Sequence, residues 1–308
     1  MSRRLSVSTL WLITSTSAAF SSLGCDDALK DEALIQETRV LGARVEVAGD
    51  PQRSSPAPGE SAHFELFVAA PGGALNVAYA LSLCGVSPTN SGFPACASAP
   101  FATAFRAQPS SEAPALDFQV PADLNLAQAP HGFASGILCP DSEAVLDADG
   151  GAQCASGAGN AVAFEFDFAG PGQDNGNPQF QADSVSLDGL TWANGAPSDC
   201  ASLSQVHAKT KHTLNVHMQD DDFDMLVPLT SEDPTRETLL LSQFSDAGTL
   251  AHTFASLDAT TPAGLSSDVS WDAPSATDAS GTIARFYFVV RDSRGGEDFT
   301  TRALCVVP

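Results

Sequence analysis

The chain has 308 residues, of which 43% are hydrophobic, and its 37 Asp and Glu outnumber 14 Lys and Arg, for a formal net charge of −23 at pH 7. That hydrophobic fraction is enough to bury a core, which argues against wholesale disorder, and the length suits two ordinary domains. A surface this negative repels phosphate backbones, which argues against nucleic acid as a partner.

The first 24 residues have the layout of an export signal, since Arg3 and Arg4 precede an uncharged, apolar or small stretch over residues 5–23. Two processing sites compete. Ser17-Ala18-Ala19 offers small residues to ordinary signal peptidase. Ser22-Leu23-Gly24-Cys25 resembles a bacterial lipobox, in which the cysteine is lipidated and begins the mature protein, although a lipobox usually carries leucine where Ser22 stands.

Cysteine arithmetic favours the lipobox. Cys25 stands apart, and without it the chain keeps six cysteines, an even number that suits an exported protein in an oxidising compartment. We therefore predict lipidation at Cys25 and anchoring in the bacterial envelope, at the outer membrane. Among the fifteen possible connectivities of six cysteines, the spacing favours Cys84–Cys96, Cys139–Cys154 and Cys200–Cys305.

Beyond residue 37, short strand patterns alternate with turn residues. Residues 162–168 are the clearest, with Phe164 and Phe166 on one face and Glu165 and Asp167 on the other. The other strands predicted in the first half cover residues 38–47, 63–68, 77–84, 116–120 and 132–139. Those in the second half cover residues 184–192, 213–218, 237–244, 249–254, 269–271, 282–290 and 299–307, and a hairpin turn precedes the last of them.

A run of turn formers over residues 170–178 divides these strands into two sets. Each set has about seven short strands, the number typical of an Ig-like sandwich. The sequence thus predicts an all-β protein with two tandem Ig-like β-sandwich domains. The predicted parts are a signal peptide (1–24), a tether (25–37), domain 1 (38–169), a linker (170–179) and domain 2 (180–308).

Several phrases resemble those of one family when they are taken together. They are TRVLGARVE (38–46), APGE (57–60), FVAAPGG (67–73), NGNP (175–178), LDGLTW (187–192) and FYFVVRDSRGG (286–296). They resemble cell-surface lipoproteins of myxobacterial type with tandem Ig-like domains, a family that is functionally uncharacterised. The resemblance implies an Ig-like fold and an envelope location, and it implies no activity.

The densest carboxylate run, over residues 219–224, is a candidate calcium site. Calcium takes six to eight oxygen ligands, and an extended backbone would bring Asp220, Asp222 and Asp224 together. The alternative is a solvated loop. Two weaker candidates are Asp147-Ala148-Asp149-Gly150, which lacks the glutamate that ends an EF-hand loop, and the group Asp174, Asn175 and Asn177 at the domain junction.

No catalytic motif is recognised. The chain has no G-x-S-x-G and no histidine where a serine or cysteine motif requires one. His207, His212 and His217 recur at intervals of five, which alternates the faces of a strand and is typical of scattered surface histidines. Trp192 and Trp271 are predicted to anchor the sandwich core rather than to bind sugars.

These observations favour a non-enzymatic, envelope-anchored lipoprotein that binds or scaffolds at the cell surface. Its partners would be the membrane, through the lipid, and a surface protein or polymer that the sequence does not identify. No cofactor is expected other than calcium. The alternative is an exported, carboxylate-dependent hydrolase, which would need a pocket lined by two convergent acids.

Overall fold

The structure is a computed structural model that describes residues 32–86, 94, 96–97, 99–147, 151–170, 174–193, 199–226, 234–275 and 279–308. Strands dominate it, and the protein has the all-β, Ig-like β-sandwich fold that the alternating sequence predicts. In the described part of the chain, no helix has the length and apolar character needed to cross a membrane. The predicted lipidation site, Cys25, lies outside the described residues.

In the described part of the range from residue 39 to residue 167, the chain forms nine strands. They are β1 (Arg39–Val47), β2 (Ser61–Ala69), β3 (Val77–Val86), β4 (Ala102–Ser110), β5 (Ala115–Gln119), β6 (His131–Pro140), β7 (Ala144–Leu146), β8 (Ala152–Cys154) and β9 (Asn160–Asp167). One 3-10 turn, Pro71–Gly73, follows β2. Strand β4 was not predicted. It contains Pro109, which argues against a strand but is tolerated at a sheet edge, and it has no fully buried face to give an alternating pattern.

These strands form a first sheet pair. One antiparallel sheet has the order β1-β2-β5, the other has the order β4-β3-β6-β9, and β7 and β8 form a separate hairpin. Their facing sides enclose a core in which Phe166 and Phe168 meet edge to face, with ring centroids 5.5 Å apart. The predicted apolar face of residues 162–168 is thus confirmed, because Val162, Phe166 and Phe168 are buried and Phe164 packs against them.

Twelve further strands follow among the residues described between 185 and 307. They are β10 (Val185–Leu187), β11 (Leu190–Thr191), β12 (Gln205–His207), β13 (Lys211–His217), β14 (Met225–Leu226), β15 (Thr235–Arg236), β16 (Thr238–Ser245), β17 (Thr249–Leu250), β18 (Phe254–Asp258), β19 (Ser266–Asp272), β20 (Thr282–Arg291) and β21 (Glu297–Val307). Short 3-10 turns lie at Cys200–Ser202, Asp220–Asp222 and Pro262–Leu265.

The second sheet pair has the orders β11-β10-β13-β19-β17 and β12-β21-β20-β16-β18, beside a small β14-β15 ribbon. Trp271 and Trp192 both contact the ring of Phe286, each with a centroid distance of 5.0 Å. Both tryptophans are buried, which confirms their predicted role as core anchors. The buried guanidinium of Arg302 fastens this core, because its Nε donates to the carbonyl oxygen of Trp192 at 2.7 Å.

All three predicted disulfides are present and confirm the pairing inferred from spacing. Their Cα atoms lie 5.1 to 5.6 Å apart in the pairs Cys84–Cys96, Cys139–Cys154 and Cys200–Cys305. The last bond closes beside the parallel pairing of β12 with β21. Because disulfides persist in oxidising compartments, they indicate an exported protein.

Residues 32–37, predicted as part of a tether, pack against the sheets instead. The backbone N–H of Ile35 donates to the carbonyl oxygen of Ser245 at 2.7 Å, and the N–H of Ser245 donates to that of Ala33 at 2.9 Å. Ala33 and Ile35 are buried. The predicted tether therefore extends too far at its C-terminal end, because the apolar run Ala33-Leu34-Ile35 is too short to give a periodic signal.

We expect removal of the Cys200–Cys305 bond to destabilise the protein more than removal of either other bond. Its sequence separation is 105 residues, against 15 and 12 for the other two. Chain entropy predicts a loss of about 4.7 kcal/mol for a loop near that length and about 3 kcal/mol for a 15-residue loop. Paired Cys→Ala variants, unfolded in urea without reductant, give the ranking. Equal losses for all three bonds would contradict the entropic origin.

Candidate functional site

An apolar groove of about 570 Å³ lies on the outer face of the β4-β3-β6-β9 sheet. Its floor consists of small residues, since Ala80 and Ser82 alternate along β3 with the core-facing Leu81. Two large apolar side chains flank it, Phe105 on β4 and Leu146 on β7, which are 48% and 55% exposed. Exposed apolar side chains grouped in this way mark surfaces that bind something.

Strands β3 and β6 approach each other closely at the floor of the groove, where Gly136 has no side chain to fill it. A Cβ atom on Gly136 would lie 2.0 Å from the carbonyl oxygen of Ala80, so a side chain there would displace the strand. The hydroxyls of Ser82 and Ser135 lie 3.1 Å apart and satisfy each other. The described residues that line the groove include no ionisable side chain, so it suits binding rather than proton transfer.

The two sheet pairs meet in an apolar contact. The ring of Phe67 on β2 stacks on that of Phe299 on β21, with centroids 4.3 Å apart and planes inclined by 8°. Tyr287 and Val289 of β20 pack into the same cluster, together with Ile35. This cluster buries apolar surface between the pairs, so it opposes their separation.

Residues 174–179, a described stretch of the predicted linker, form a packed junction that two buried asparagines hold. The amide of Asn177 donates to the carbonyl oxygen of Val45 at 2.8 Å and accepts from the backbone N–H of Glu297 at 3.0 Å. The amide of Asn175 donates to Ser54 Oγ at 2.9 Å and to Asp292 Oδ2 at 2.8 Å. Both asparagines, proposed above as calcium ligands, thus link the sheet pairs directly.

The β20–β21 hairpin closes the junction from the other side. Gly295 adopts a left-handed backbone with φ of +91°, as the turn prediction requires, and its Cα faces β9. A Cβ there would lie 2.6 Å from the Cα of Phe166, so only glycine fits. The N–H of Asp167 donates to the carbonyl oxygen of Arg294 at 2.9 Å.

Four buried carboxyl groups cluster around this junction, and burial raises the pKa of each. Desolvation raises the pKa of Glu297 to about 8 and that of Glu237 to about 7, and it also raises those of Asp292 and Asp298. Glu297 is fully buried, and its nearest cation atom is Arg291 Nε at 3.6 Å. Its two carboxylate oxygens have no hydrogen-bond partner among the described residues.

The predicted calcium ligands on residues 219–224 point to different partners. Asp220 pairs with Arg236 at 2.6 Å, and Asp224 pairs with Arg294 at 3.1 Å. Asp222 accepts from the backbone N–H groups of Gln219 and Gln179, each at 2.8 Å. The segment is a 3-10 turn over Asp220–Asp222, so the extended backbone that the calcium hypothesis requires is not formed.

The other candidate ligands are also engaged. Asp147 Oδ1 accepts from the N–H of Gly151, while residues 148–150 lie outside the described residues. Asp174 lies 3.9 Å from Arg53. Among the described residues, no group of three or more His, Cys, Asp or Glu side chains is arranged to hold a metal ion.

A hydrogen-bonded chain of three side chains lines a cavity of about 360 Å³ in the second sheet pair. His212 Nδ1 lies 2.7 Å from Asp188 Oδ2, and His212 Nε2 lies 2.7 Å from Thr210 Oγ1. The backbone N–H of Thr213 donates to Asp188 Oδ1 at 2.9 Å. Burial alone would raise the pKa of Asp188, but the bonds from His212 and Thr213 hold it below its usual value.

The bonded chain of Asp188, His212 and Thr210 was not predicted, because the three regularly spaced histidines look alike in the sequence. His212 shares the core-facing side of β13 with Leu214 and is only 14% exposed, whereas His217 bonds Ser266 and His207 bonds the C-terminal carbonyl. The sequence does contain one signal for this contact. Asp188-Gly189 is a typical type I′ hairpin pair, and the turn that it forms brings Asp188 beside β13.

No protein-family model matches the chain, and no curated protein matches it. Among solved structures, it is similar over 86% of its length to dimeric latent PorU from Porphyromonas gingivalis, at 12% identity and a TM-score of 0.23, and it spans 24% of that chain. It is also similar over 91% of its length to a variant of Salmonella alpha-2-macroglobulin, at 14% identity and a TM-score of 0.22, and it spans 16% of that chain. At these values neither likeness bears on function.

We expect the unfolding free energy to fall as the pH rises from about 4.5 to about 8 because of Glu297. Its pKa is 4.5 when unperturbed and about 8 in the folded protein, so the folded state holds the extra proton over that interval. Glu237 acts in the same direction up to about pH 7.

Urea unfolding at pH 5 and pH 8 measures this slope. Glu297→Gln removes the titration while keeping the side-chain volume, so its slope should be flatter than that of the wild type. Glu143→Gln, at an exposed position, serves as the matched control and should leave the slope unchanged. A wild-type slope retained in Glu297→Gln would contradict the assignment.

Proposed function

We propose that the protein is a lipid-anchored protein of the bacterial cell envelope that binds or holds a partner at the cell surface, a role that needs no catalysis. The observation that carries the proposal is the cysteine pairing. All six cysteines that follow Cys25 are joined to one another in disulfides, so none of them is available to Cys25 at the lipobox-like site. A single unpaired cysteine directly after an export signal is what lipid attachment requires.

A scaffolding role is supported by the junction. Asn175 and Asn177, the stacked Phe67 and Phe299, and the hairpin tip at Gly295 together fix one sheet pair against the other. The default expectation for two tandem domains is relative motion unless their interface is large and apolar. Here the interface combines an apolar cluster with buried hydrogen bonds, which suits a protein that presents a surface at a fixed orientation.

The groove beside Phe105 and Leu146 is the surface that we propose for ligand contact, and the ligand that it fits is an apolar segment of another surface protein. The polar side chains among its described lining residues are the hydroxyls of Ser82, Thr103 and Ser135, and two of these satisfy each other. A polysaccharide needs many hydrogen-bonding partners, so the groove suits apolar side chains better than a sugar polymer.

The alternative, a carboxylate-dependent hydrolase, has less support. The acids with the most strongly raised pKa values, Glu237 and Glu297, are buried within the junction rather than exposed in a cavity. The described residues of the groove supply no acid, and those of the 360 Å³ cavity supply a single carboxylate, Asp188.

We expect Cys25→Ser to move the protein from the membrane fraction to the soluble fraction of its native host. A lipid of one or two acyl chains supplies the membrane affinity, and the substitution removes its point of attachment. Metabolic labelling with an alkyne fatty acid should mark the wild type and leave the variant unmarked. Ser22→Leu, which completes the lipobox, is the control and should keep both signals. An unmodified wild-type N-terminus at Phe20, detected by mass spectrometry, would overturn the anchor.

We expect ligand capture to depend on the groove. A photo-crosslinking residue placed at Ala161, which lines the groove, should give a discrete protein adduct on intact cells, and the same residue at the exposed Leu240 should not. Phe105→Ser should reduce that adduct about tenfold, the effect of losing roughly 1.4 kcal/mol of apolar contact, while the melting temperature stays unchanged. Equal adducts from both positions, or a protease-resistant polymer adduct, would contradict a protein ligand in the groove.

A further inference from the structure

We infer that Thr210, His212 and Asp188 form a second, nucleophilic site, at which the Thr210 hydroxyl attacks carboxylic esters that carry short acyl groups. The inference goes beyond the binding role and concerns a different surface, the 360 Å³ cavity of the second sheet pair. The order of contacts is that of a nucleophile, a base and a carboxylate that orients the base, each at 2.7 Å from the next.

The contacts of the Thr210 hydroxyl place a base within reach of it. The hydroxyl donates its one proton to the carbonyl oxygen of His207 at 2.5 Å, and His212 Nε2 lies 2.7 Å away as the second acceptor, toward which that proton turns for the reaction. Asp188 holds the proton of a neutral imidazole on Nδ1, because a carboxylate oxygen 2.7 Å away can only accept. Nε2 is then left as an acceptor for the Thr210 hydroxyl, which is the arrangement that a general base requires.

The backbone around the three residues is specifically shaped. Lys209, directly before Thr210, adopts a left-handed conformation with φ of +61°, which is costly for a residue other than glycine. Asp188 occupies the first central position of a type I′ turn, with φ of +50°. The end of β10 and the beginning of β13 lie beside the cavity. The two left-handed residues turn the chain there, so that Asp188 and Thr210 both reach the cavity lining.

The cavity walls define the substrate class. Around the Thr210 hydroxyl they combine apolar side chains (Leu187, Leu190, Trp192 and Val206) with the polar side chains of Ser204 and Gln205. A volume of about 360 Å³ accommodates a small acyl group together with part of its alcohol. The site therefore fits an ester with a short, uncharged acyl chain.

The reaction needs no cofactor. As Thr210 Oγ forms a bond to the acyl carbon, its proton moves to His212 Nε2, and that proton is given to the alcohol oxygen as the ester C–O bond breaks. Water then attacks the acyl-threonine, its proton passes through Nε2, and the acid leaves with the Thr210 hydroxyl restored. Such a base contributes roughly 10²- to 10⁴-fold to the rate.

The test uses the full chain with its disulfides formed, together with a fluorophosphonate probe, which transfers its phosphonyl group to an activated hydroxyl and releases fluoride. We expect a single adduct on Thr210, located by peptide mass spectrometry, and hydrolysis of p-nitrophenyl acetate above the buffer rate. Thr210→Val should abolish both signals, and His212→Asn should reduce them about 100-fold, as loss of the general base requires.

Two further variants separate catalysis from folding. Thr210→Ser keeps the nucleophile and should retain labelling. Thr249→Ala, at an exposed position of β17 outside the cavity, should behave as the wild type. Melting curves show whether each variant is folded. Absence of an adduct on the wild type, an adduct on another residue, or labelling of a folded His212→Asn variant at the wild-type rate would overturn the inference.

Discussion

The side-chain amide of Asn177 bonds the carbonyl oxygen of Val45 with its nitrogen and the N–H of Glu297 with its oxygen, so one residue satisfies backbone groups of both sheet pairs. The other contacts of the junction follow from this placement. It sets the β20–β21 hairpin against β9, where Gly295 meets Phe166, and it buries the carboxyl group of Glu297 beside Arg291. A buried backbone group that loses its partner is costly, so the two sheet pairs are coupled through these bonds.

Arginine supplies the cations on which this junction relies. Arg44 contacts Asp298 at 2.5 Å, Arg294 contacts both Asp224 and Glu237, and Arg291 donates to the carbonyl oxygen of Leu41 at 2.9 Å. A planar guanidinium reaches several acceptors at once and is less strongly hydrated than an ammonium group, so it suits a partly desolvated position. The rarity of lysine in this chain is consistent with that demand.

Much of the fold could be predicted from the sequence because it depends on alternation. The face of β9 and the buried tryptophans follow from residue spacing, and the disulfides follow from loop length. The edge strand β4 could not be predicted, since an edge with little buried surface leaves no periodic pattern. The packing of Ala33 and Ile35 against Ser245 was also hidden, because it joins segments some 210 positions apart through main-chain bonds that any residues can make.

The candidate sites, like the strands, could be predicted only where they depend on residue spacing. The sequence pointed to acids and histidines by type, yet the carboxylates of residues 219–224 turn toward separate backbone and arginine partners. The contact between Asp188 and His212 arises from strand pairing, because Leu187 lies opposite Leu214 in the register of β10 and β13. The groove at Phe105 depends on β4. Because β4 shows no alternating pattern of apolar residues, the groove could not be located from the sequence.

The docking of the N-terminal segment has a mechanical consequence. Leu34 runs parallel to Ser245 of β16, although the strand that follows it, β1, belongs to the first sheet pair. A pulling force applied before Glu32 therefore loads the hydrogen bonds of Ala33 and Ile35 in shear, where they must break together rather than one after another. The tension therefore enters the folded protein at the seam between the sheet pairs.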